Sequence, residues 1–572
     1  MSQETHFQRI CYWKPYTLGG ENMKRSFSIV LITSFIIFSL YLSASYGSSF
    51  WNFTYKESGD DAYLSVYTNG NIIVATGYTM SQYPLISIWK QDGTKLIDKV
   101  ILTGDGAMGI ASTYYKGYIY TTGVIEKDTS DIFLAKISPS TGKLLFFKVI
   151  GGNGTDEPRA IVGANDKIFI VGNTNSTDGD IVCGENESGI ILSFDTGGNV
   201  LWNTCIQMGD TTELNDIYLH NNELYIVGTT MSDFLSDILV INTDTNGNTL
   251  WQKTIGGNDY DYGYGITGNK DSLFIAGTTF SDNIPGFHGK RGIAADGYIA
   301  SLSYDGTLKW QKAVGGSKDD ELFDITNTFL GPIAAGYTTS KEIPGYIGDE
   351  DFFIAYTTDY GKTRYLKAWG SSQKEELWSI SSSKNDIIYT DGWTYSDGIL
   401  IGNIFAIDED GSIVPTSYPI GKAITLKVWE SNYLKGEQIL AMDKGVFPFI
   451  DPRYSRSLVP IRFVAEGLGY QVDWNSTDRT VSIKGTGKTI LIDMKDALKY
   501  NTTLSVKKPT GEYIHMVVYE GSDIAKVNGK TTKLSAKPLI YNGRTFVPIR
   551  FISETLGSTV KWIPPDGIRI VP

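Results

Sequence analysis

Glycine recurs in this chain at a spacing that fixes its architecture. Seven short apolar runs each end on a glycine, at Gly77, Gly123, Gly172, Gly228, Gly277, Gly336 and Gly392, and after all but Gly123 polar or aromatic residues follow. A second series keeps step with the first: Gly93, Gly142, Gly198, Gly247, Gly306, Gly361 and Gly411. Two independent markers that both return after about fifty residues describe one supersecondary unit used repeatedly, each copy burying its apolar face against its neighbours.

One unit reads as an outer hairpin followed by an inner strand pair. Ser236–Ile241 and Leu250–Ile255 are the hairpin strands, and Asn246-Gly247 between them suits a type I′ turn, whose central residues need positive φ. Gly256-Gly257 interrupts the chain, a third strand passes through Ile266, and a fourth, Leu273–Ala276, ends at Gly277. The third-strand apolar position is read at Val66, Ile110, Ile161, Ile217, Ile266, Ile325 and Ile380. An acid stands five residues earlier at Asp61, Asp105, Asp156, Asp261, Asp320 and Glu375, and only Thr212 departs, with Glu213 beside it. Constant strand lengths, and strands apolar on both faces, predict a mainly β fold: a seven-bladed β-propeller over residues 50–418. The chain enters it in mid-unit at Trp51-Asn52-Phe53 and leaves it on a lone hairpin, Ile404–Ile407 and then Gly411. The two ends can therefore share one blade and close the ring with no free edge.

The unit resembles the bacterial secreted β-propeller repeats that carry Asp-Gly-x-x-x-Trp and Gly-x-Thr-x-Ser-Asp segments. Asp305-Gly306-Thr307-Leu308-Lys309-Trp310 and Gly277-Thr278-Thr279-Phe280-Ser281-Asp282 carry the likeness. The resemblance implies a cell-surface setting and names no ligand. The repeated acids are read as turn residues that accept backbone N–H bonds and pin each blade, rather than as calcium or substrate ligands. A single active site needs one or two special residues, not a set present in nearly every unit. Two loops break the symmetry, Ile284-Pro285-Gly286-Phe287-His288-Gly289 and Ile343-Pro344-Gly345-Tyr346-Ile347-Gly348. With Asp259-Tyr260-Asp261-Tyr262 they form a set able to stack a sugar ring, or simply to decorate the blades.

The net charge of −13 is unevenly spread. Residues 51–420 carry 24 Lys and Arg against 47 Asp and Glu, whereas residues 421–572 carry 22 against 14. An acidic body excludes nucleic acid as its partner, while a basic tail domain suits an anionic wall polymer or polysaccharide. Cysteine occurs only at 11, 183 and 205, and Cys183 and Cys205 are either bridged in an oxidising compartment or two separate buried thiols.

The amino terminus supports export. Met23-Lys24-Arg25, the apolar run Phe27–Leu42 and the small residues Ser43–Gly47 make a signal peptide over residues 23–47, cleaved or retained as a membrane anchor. Either way the bulk of the chain is expected outside the cytoplasm, and membrane contact is expected only through an uncleaved segment. Residues 1–22 do not fit such a signal. Gly19-Gly20-Glu21-Asn22 has the coding of a purine-rich ribosome-binding stretch, so Met23 is expected to be the true start.

Composition shifts after Pro419, and a second duplication appears over residues 422–572. Arg456-Ser457-Leu458-Val459-Pro460-Ile461-Arg462-Phe463 recurs 88 residues later as Arg544-Thr545-Phe546-Val547-Pro548-Ile549-Arg550-Phe551. Leu468-Gly469 recurs as Leu556-Gly557, and Trp474 as Trp562. Pro460 suits a first helical position, Ile461, Val464 and Leu468 recur at helical spacing, and Gly469 suits a left-handed cap. Strands are expected at Leu458-Val459, at Val472 and Trp474, and at Thr480–Ile483, giving a duplicated α+β domain with halves at about 422–483 and 505–571. This region resembles the stalk-type domain named after the amino-terminal domain of copper amine oxidases. In that enzyme the domain is an appendage, so the resemblance implies neither copper nor oxidation. After residue 47 the chain has only His220, His288 and His515, in no ligand spacing. Arg462 and Arg550 are candidates for an anionic polymer or for a structural role beside the strands.

These observations point to an exported, non-enzymatic interaction protein, with the propeller face presenting a site for a protein or glycan and the tail domain attaching or spacing it at the cell envelope. No residue is singled out as catalytic, cofactor-binding or metal-binding, and no nucleophile elbow, phosphate loop, HExxH or CxxC occurs. The alternative class is a propeller enzyme acting on polysaccharide, a lyase or hydrolase whose carboxylates hide among many others. A quinone-dependent dehydrogenase is a weaker alternative. Ser140–Leu145 and Gly198–Trp202 resemble its tryptophan-rich repeats, but that family typically has eight blades and often adjacent cysteines.

Overall fold

The computed structural model describes residues 52–572 apart from 56–61, 80–82, 102–105, 127–128, 185, 233–234, 383–386, 397–398, 410, 415–421, 436–437, 486, 499–500 and 509–512. The expected signal segment, Cys11, Asp61 and Asp105 lie outside the described residues. Among the described residues, seven four-stranded antiparallel sheets follow one another along the chain. Their inner strands, blades 1 to 7, are Ala62–Thr68, Ala107–Tyr115, Asp156–Ala164, Thr211–His220, Asp261–Gly268, Asp320–Thr328 and Lys374–Ser382. Each inner strand touches the next and the last touches the first, so the sheets form a closed ring. The closing strand is Asn52–Tyr55, which pairs with Ile399–Ile407 as the outermost strand of blade 7. The chain's two ends thus share a blade, and neither leaves an open sheet edge in the ring.

The sequence unit and the blade are out of step by two strands. Leu235–Asp244 and Thr249–Ile255 finish blade 4, and the inner pair that follows them in the chain opens blade 5. This interleaving puts apolar surface on both faces of the middle strands. Leu273–Thr279 and Asp296–Leu302 are buried at every position, whereas outer strand Thr249–Ile255 is buried only at Ile255. Cores form between blades: Val227, Ile238 and Val240 of blade 4 pack with Ile275, Tyr298 and Ala300 of blade 5. The same packing joins Tyr389 and Ile404 of blade 7 to Tyr63, Val66 and Ile73 of blade 1. Each such side chain contributes about 1.5–3 kcal/mol by leaving water.

Two sequence expectations need correction. Asn246-Gly247 is not a type I′ turn, because only Gly247 has positive φ (87°). Gly247 N–H donates to Asp244 O, and the Asp244 carboxylate accepts the N–H groups of Asn246 (2.8 Å) and Asn248 (2.9 Å). That carboxylate holds a wider turn, with the glycine in a bulge that follows it. In blade 2 the spacing argument was two residues out. Gly109 pairs with Gly123, so Ala107 and Ser112, not Asp105 and Ile110, stand where Asp156 and Ile161 stand in blade 3.

The Asp-Gly-x-x-x-Trp segments clasp the rim. The Trp310 indole N–H donates to Asp359 O at 2.9 Å, and that of Trp251 to Tyr304 O at 3.1 Å, each in the next blade's turn. A Cβ on Gly361 (φ 83°) would lie 2.8 Å from the Trp310 ring, so the tryptophan lies flat on a residue that has to be glycine.

The carboxyl-terminal domain has its own closure. Arg456–Pro460 and Arg544–Pro548, the duplicated strands, pair antiparallel across Val459 and Val547. Helix α1 (Ile461–Gly467) and helix α2 (Ile549–Thr555) follow them, with Pro460 and Pro548 as the residues before the first turn rather than within it. Gly469 and Gly557 adopt φ of 87° and 96° just after the helices, as left-handed caps require. Strand Ile424–Lys427, at the start of the domain, pairs with Gly567–Val571 at its end. Val472 is buried, but Trp474 on the same strand is 46% exposed.

This domain is seated on blades 6 and 7. Arg569 (1% exposed) meets Glu409 (0%) at 2.9 Å, and Arg364 (0%) meets Asp566 (7%) at 2.8 Å. Arg364 also donates to Leu330 O and Pro564 O, and Ile563 enters the blade 6–7 core. Lys427–Asp359 and Lys561–Asp408, each at 2.7 Å, complete the joint. Leu330 and Asp359 lie in the turns linking first to second and third to fourth strands of blade 6, and Asp408 and Glu409 directly follow the third strand of blade 7, at the same end of the ring. The domain therefore occupies one end of the ring, opposite the end where inner strands begin. Removing one partner of a buried pair costs about 3–5 kcal/mol. Arg364→Ala is expected to lower the melting temperature of the chain and to split its calorimetric transition in two, while the propeller's own transition persists.

Candidate functional site

The sevenfold ring is not sevenfold where it faces its channel. Every inner strand carries a bulge at one equivalent residue: Leu64, Ile110, Arg159, Asn215, Tyr264, Phe323 and Trp378. Two residues earlier stand Ala62, Met108, Glu157, Glu213, Tyr262, Glu321 and Glu376. Bulges re-aim side chains, and here they turn both sets toward the axis. Rings from successive blades meet there: Tyr264 of blade 5 contacts Phe323 of blade 6, and Phe323 contacts Trp378 of blade 7. Blades 1 and 2 have only apolar residues at these positions, blades 3 and 4 have Glu157 and Glu213 with Arg159 and Asn215, and blades 5 to 7 have aromatics with carboxylates.

The aromatic side is continuous. Tyr262 stacks on Tyr264 (6.4 Å between centroids), Tyr264 meets Phe323 edge-on (5.7 Å), and Phe323 stacks on Trp378 (5.1 Å). Tyr337 donates to Glu321 at 2.8 Å and so fixes that carboxylate beside the rings. On the acidic side, burial pushes Glu213 up to about 7, Arg159 pulls it back, and Glu187 and Glu157 push it further. Burial and Glu157 likewise raise Glu187. Glu187 comes from the loop before Ser188–Asp195, and the Cys183–Cys205 disulfide (Cα–Cα 5.6 Å) ties that loop to the outer strand of blade 3. Of the two readings of these cysteines, the bridged one is formed.

The repeated acids do local work. Asp320 is fully buried and accepts from Gly316 N–H (2.7 Å), the Ser340 hydroxyl (2.7 Å) and the Thr338 hydroxyl. Asp156 accepts from Gly152 N–H (2.9 Å), Ser176 (2.8 Å) and Thr174 (2.5 Å) in the same way. Asp261 takes Gly257 N–H (2.6 Å) and Ser281 (2.9 Å), and Glu375 takes Ser371 N–H (3.2 Å). The Gly-x-Thr-x-Ser segment exists to hold these carboxylates. Burial still pushes Asp261 and Asp320 up to about 6 and Glu375 to about 7. Among the described residues no three His, Cys, Asp or Glu side chains are placed to hold one metal ion.

The other sequence candidates are not brought together. Pro285 O accepts Ala313 N–H (2.9 Å) and Pro344 O accepts Ala368 N–H (2.8 Å), so both long loops are stitched to their own blades. Phe287 packs on the blade 4–5 core and Tyr346 on the blade 5–6 core, whereas Tyr262 reaches the channel. His220 stacks on Tyr304 (4.0 Å) and His515 contacts Ser505 (2.8 Å), far from each other. Arg462 and Arg550 are exposed and pair with Glu466 and Glu554 on their own helices, each at 3.5 Å. The mouth itself was missed in the sequence, although its signal was there: Glu157, Glu213, Tyr262, Glu321 and Glu376 directly follow the pinning position in five consecutive units.

Glu213 gives the mouth a pH signature. The folded carboxyl keeps its proton to about 7 and the unfolded one only to 4.5, so folding takes up a proton between these values. Its contribution to stability is complete below 4.5 and declines as pH rises through about 7. Glu213→Gln removes that decline, by up to about 3 kcal/mol. Urea unfolding at pH 5 and pH 8 is expected to show a smaller pH dependence in the variant than in the parent.

Comparison with known proteins places the tail domain. Residues 433–508 and 498–567 match the profile of the family described as copper amine oxidase N-terminal domain. A protein named "Protease inhibitor" from Brevibacillus choshinensis is 26% identical over 179 residues, which is 31% of this chain and 43% of that protein. The chain thus matches less than half the length of that curated relative. Hydrazine synthase from Kuenenia stuttgartiensis overlays on 63% of this chain and 98% of its own, at 10% identity and a TM-score of 0.43. The chain is a mainly β protein, seven repeated four-stranded sheets followed by a copper amine oxidase N-terminal domain.

Proposed function

We propose that this is an exported, non-enzymatic surface interaction protein in which the propeller presents a binding mouth and the carboxyl-terminal domain attaches or spaces it at the cell envelope. The observation that carries this reading is the disposition of the two ends of the ring. The mouth, where inner strands begin, is built from residues that break the ring's symmetry. The tail domain is seated at the other end through Arg364–Asp566 and Arg569–Glu409, both buried. Such a joint fixes orientation and leaves the mouth open to partners. The excess of Lys and Arg in residues 421–572 supports an anionic wall polymer as the attachment surface.

A carbohydrate-active enzyme is the competing reading, because a carboxyl held near 7 at Glu213 is suited to proton transfer. One experiment separates the two. The purified chain is incubated with cell-wall fractions and with a polysaccharide panel. Co-sedimentation with wall material at low salt, lost at high salt and lost when residues 422–572 carry charge-neutralising substitutions, is the expected result. Release of new reducing ends or unsaturated sugars, abolished by Glu213→Gln, would replace this reading with the enzymatic one.

A further inference from the structure

We propose that the channel mouth binds a cationic glycan, a saccharide whose sugar rings carry free, protonated amino groups. The inference rests on the reading of the mouth as the recognition face and goes on to name its ligand. Three observations carry it. The first is charge: Glu157, Glu187 and Glu213 gather around one guanidinium, Arg159, while Glu321 and Glu376 lie on the aromatic side around Tyr337. A surface with that balance repels acidic ligands and leaves a neutral one without a counter-charge.

The second is the shape of the aromatic side. A single alkylammonium group is caught by rings boxed around one point. Tyr262, Tyr264, Phe323 and Trp378 instead run across three successive blades at steps of 6.4, 5.7 and 5.1 Å. A row of rings offers successive contacts to successive sugar units, and the carboxylates beside it meet the amino groups. Glu321 lies at the middle of that row, held by Tyr337.

The third lies behind the row and is independent of it. Asp391 pairs in register with Ser379, next to Trp378, and is fully buried with neither carboxylate oxygen in a hydrogen bond. It feels Asp324, which is held by Ser379 (2.9 Å) and by the Ile380 N–H (2.8 Å) on the inner strand of blade 7. A carboxyl that no other residue's donor reaches is kept neutral by burial. The ring has spent an unsatisfied acid at the same end of blade 7 that carries Trp378 and Glu376. The equivalent position holds Thr76, Thr122, Val171, Val227, Ala276 and Ala335 in the other six blades, so the acid is particular to blade 7.

The test is titration calorimetry of the full chain with three probes at pH 6.5, where the sugar amines carry protons: a glucosamine hexamer, its fully N-acetylated counterpart, and a lysine-containing hexapeptide. The glucosamine hexamer is expected to bind at least about tenfold tighter than either of the others, the difference expected of one or two charge-assisted contacts. Glu213→Gln and Trp378→Ala should each weaken it by about tenfold, while Arg462→Gln in the tail domain leaves it unchanged. Far-ultraviolet circular dichroism and melting confirm that each variant is folded. Equal binding of the acetylated hexamer, tighter binding of the peptide, or affinity indifferent to both mouth variants overturns the proposal. If no probe binds while wall sedimentation persists, the cationic-glycan assignment falls and the platform reading stands.

Discussion

Ring closure is the constraint on which everything else in this protein depends. A single blade buries its apolar faces only against neighbours, so an open row of seven would leave two faces and two edges in water. The pairing of Asn52–Tyr55 with Ile399–Ile407 and the shared core of Tyr63, Val66, Tyr389 and Ile404 remove both. Closure also creates the channel, and the channel is where the molecule is free to be asymmetric. Residues facing neighbouring blades are held to one pattern by packing, whereas residues facing the axis are not. The tail domain also joins its first and last strands, Ile424–Lys427 pairing with Gly567–Val571 inside a five-stranded sheet.

Two kinds of acid follow from this division. Asp156, Asp261 and Asp320 recur because Gly-Gly turns and Gly-x-Thr-x-Ser segments supply them with donors, and they are part of the blade. Glu157, Glu213, Glu321 and Glu376 stand one residue further on and face the axis. A shift of one position in a strand changes the face a side chain presents, and so changes its role from scaffold to surface. Asp216 and Asp324 add a third use: each accepts the N–H of an isoleucine in the following blade, Ile266 and Ile380, at 2.8 Å, stitching inner strands together.

Periodicity made the fold legible. The two glycine series predicted the blade count, and the duplicated Arg-x-x-Val-Pro-Ile-Arg-Phe segments predicted the strand–helix units of the tail. Legibility failed where one copy departs from the rest. Ile110 in blade 2 mimicked the expected spacing because the equivalent place is held by a polar residue, Ser112, and Ile110 two positions earlier is the apolar residue of like parity. The type I′ expectation at Asn246-Gly247 failed because a side chain, Asp244, rather than backbone preference, shapes that turn. The mouth was missed for a related reason. Its residues come from seven units, and their convergence requires the ring closure and the bulges to be known first.

The central claim is that a closed ring turns one set of symmetry-breaking side chains toward its axis. A crystallographic electron-density map of the full chain tests it most directly. The account predicts seven sheets about a channel, with Glu213, Tyr264, Glu321 and Trp378 directed at the axis and the carboxyl-terminal domain beneath blades 6 and 7. An open arc of sheets, or those four side chains packed between blades, would contradict it.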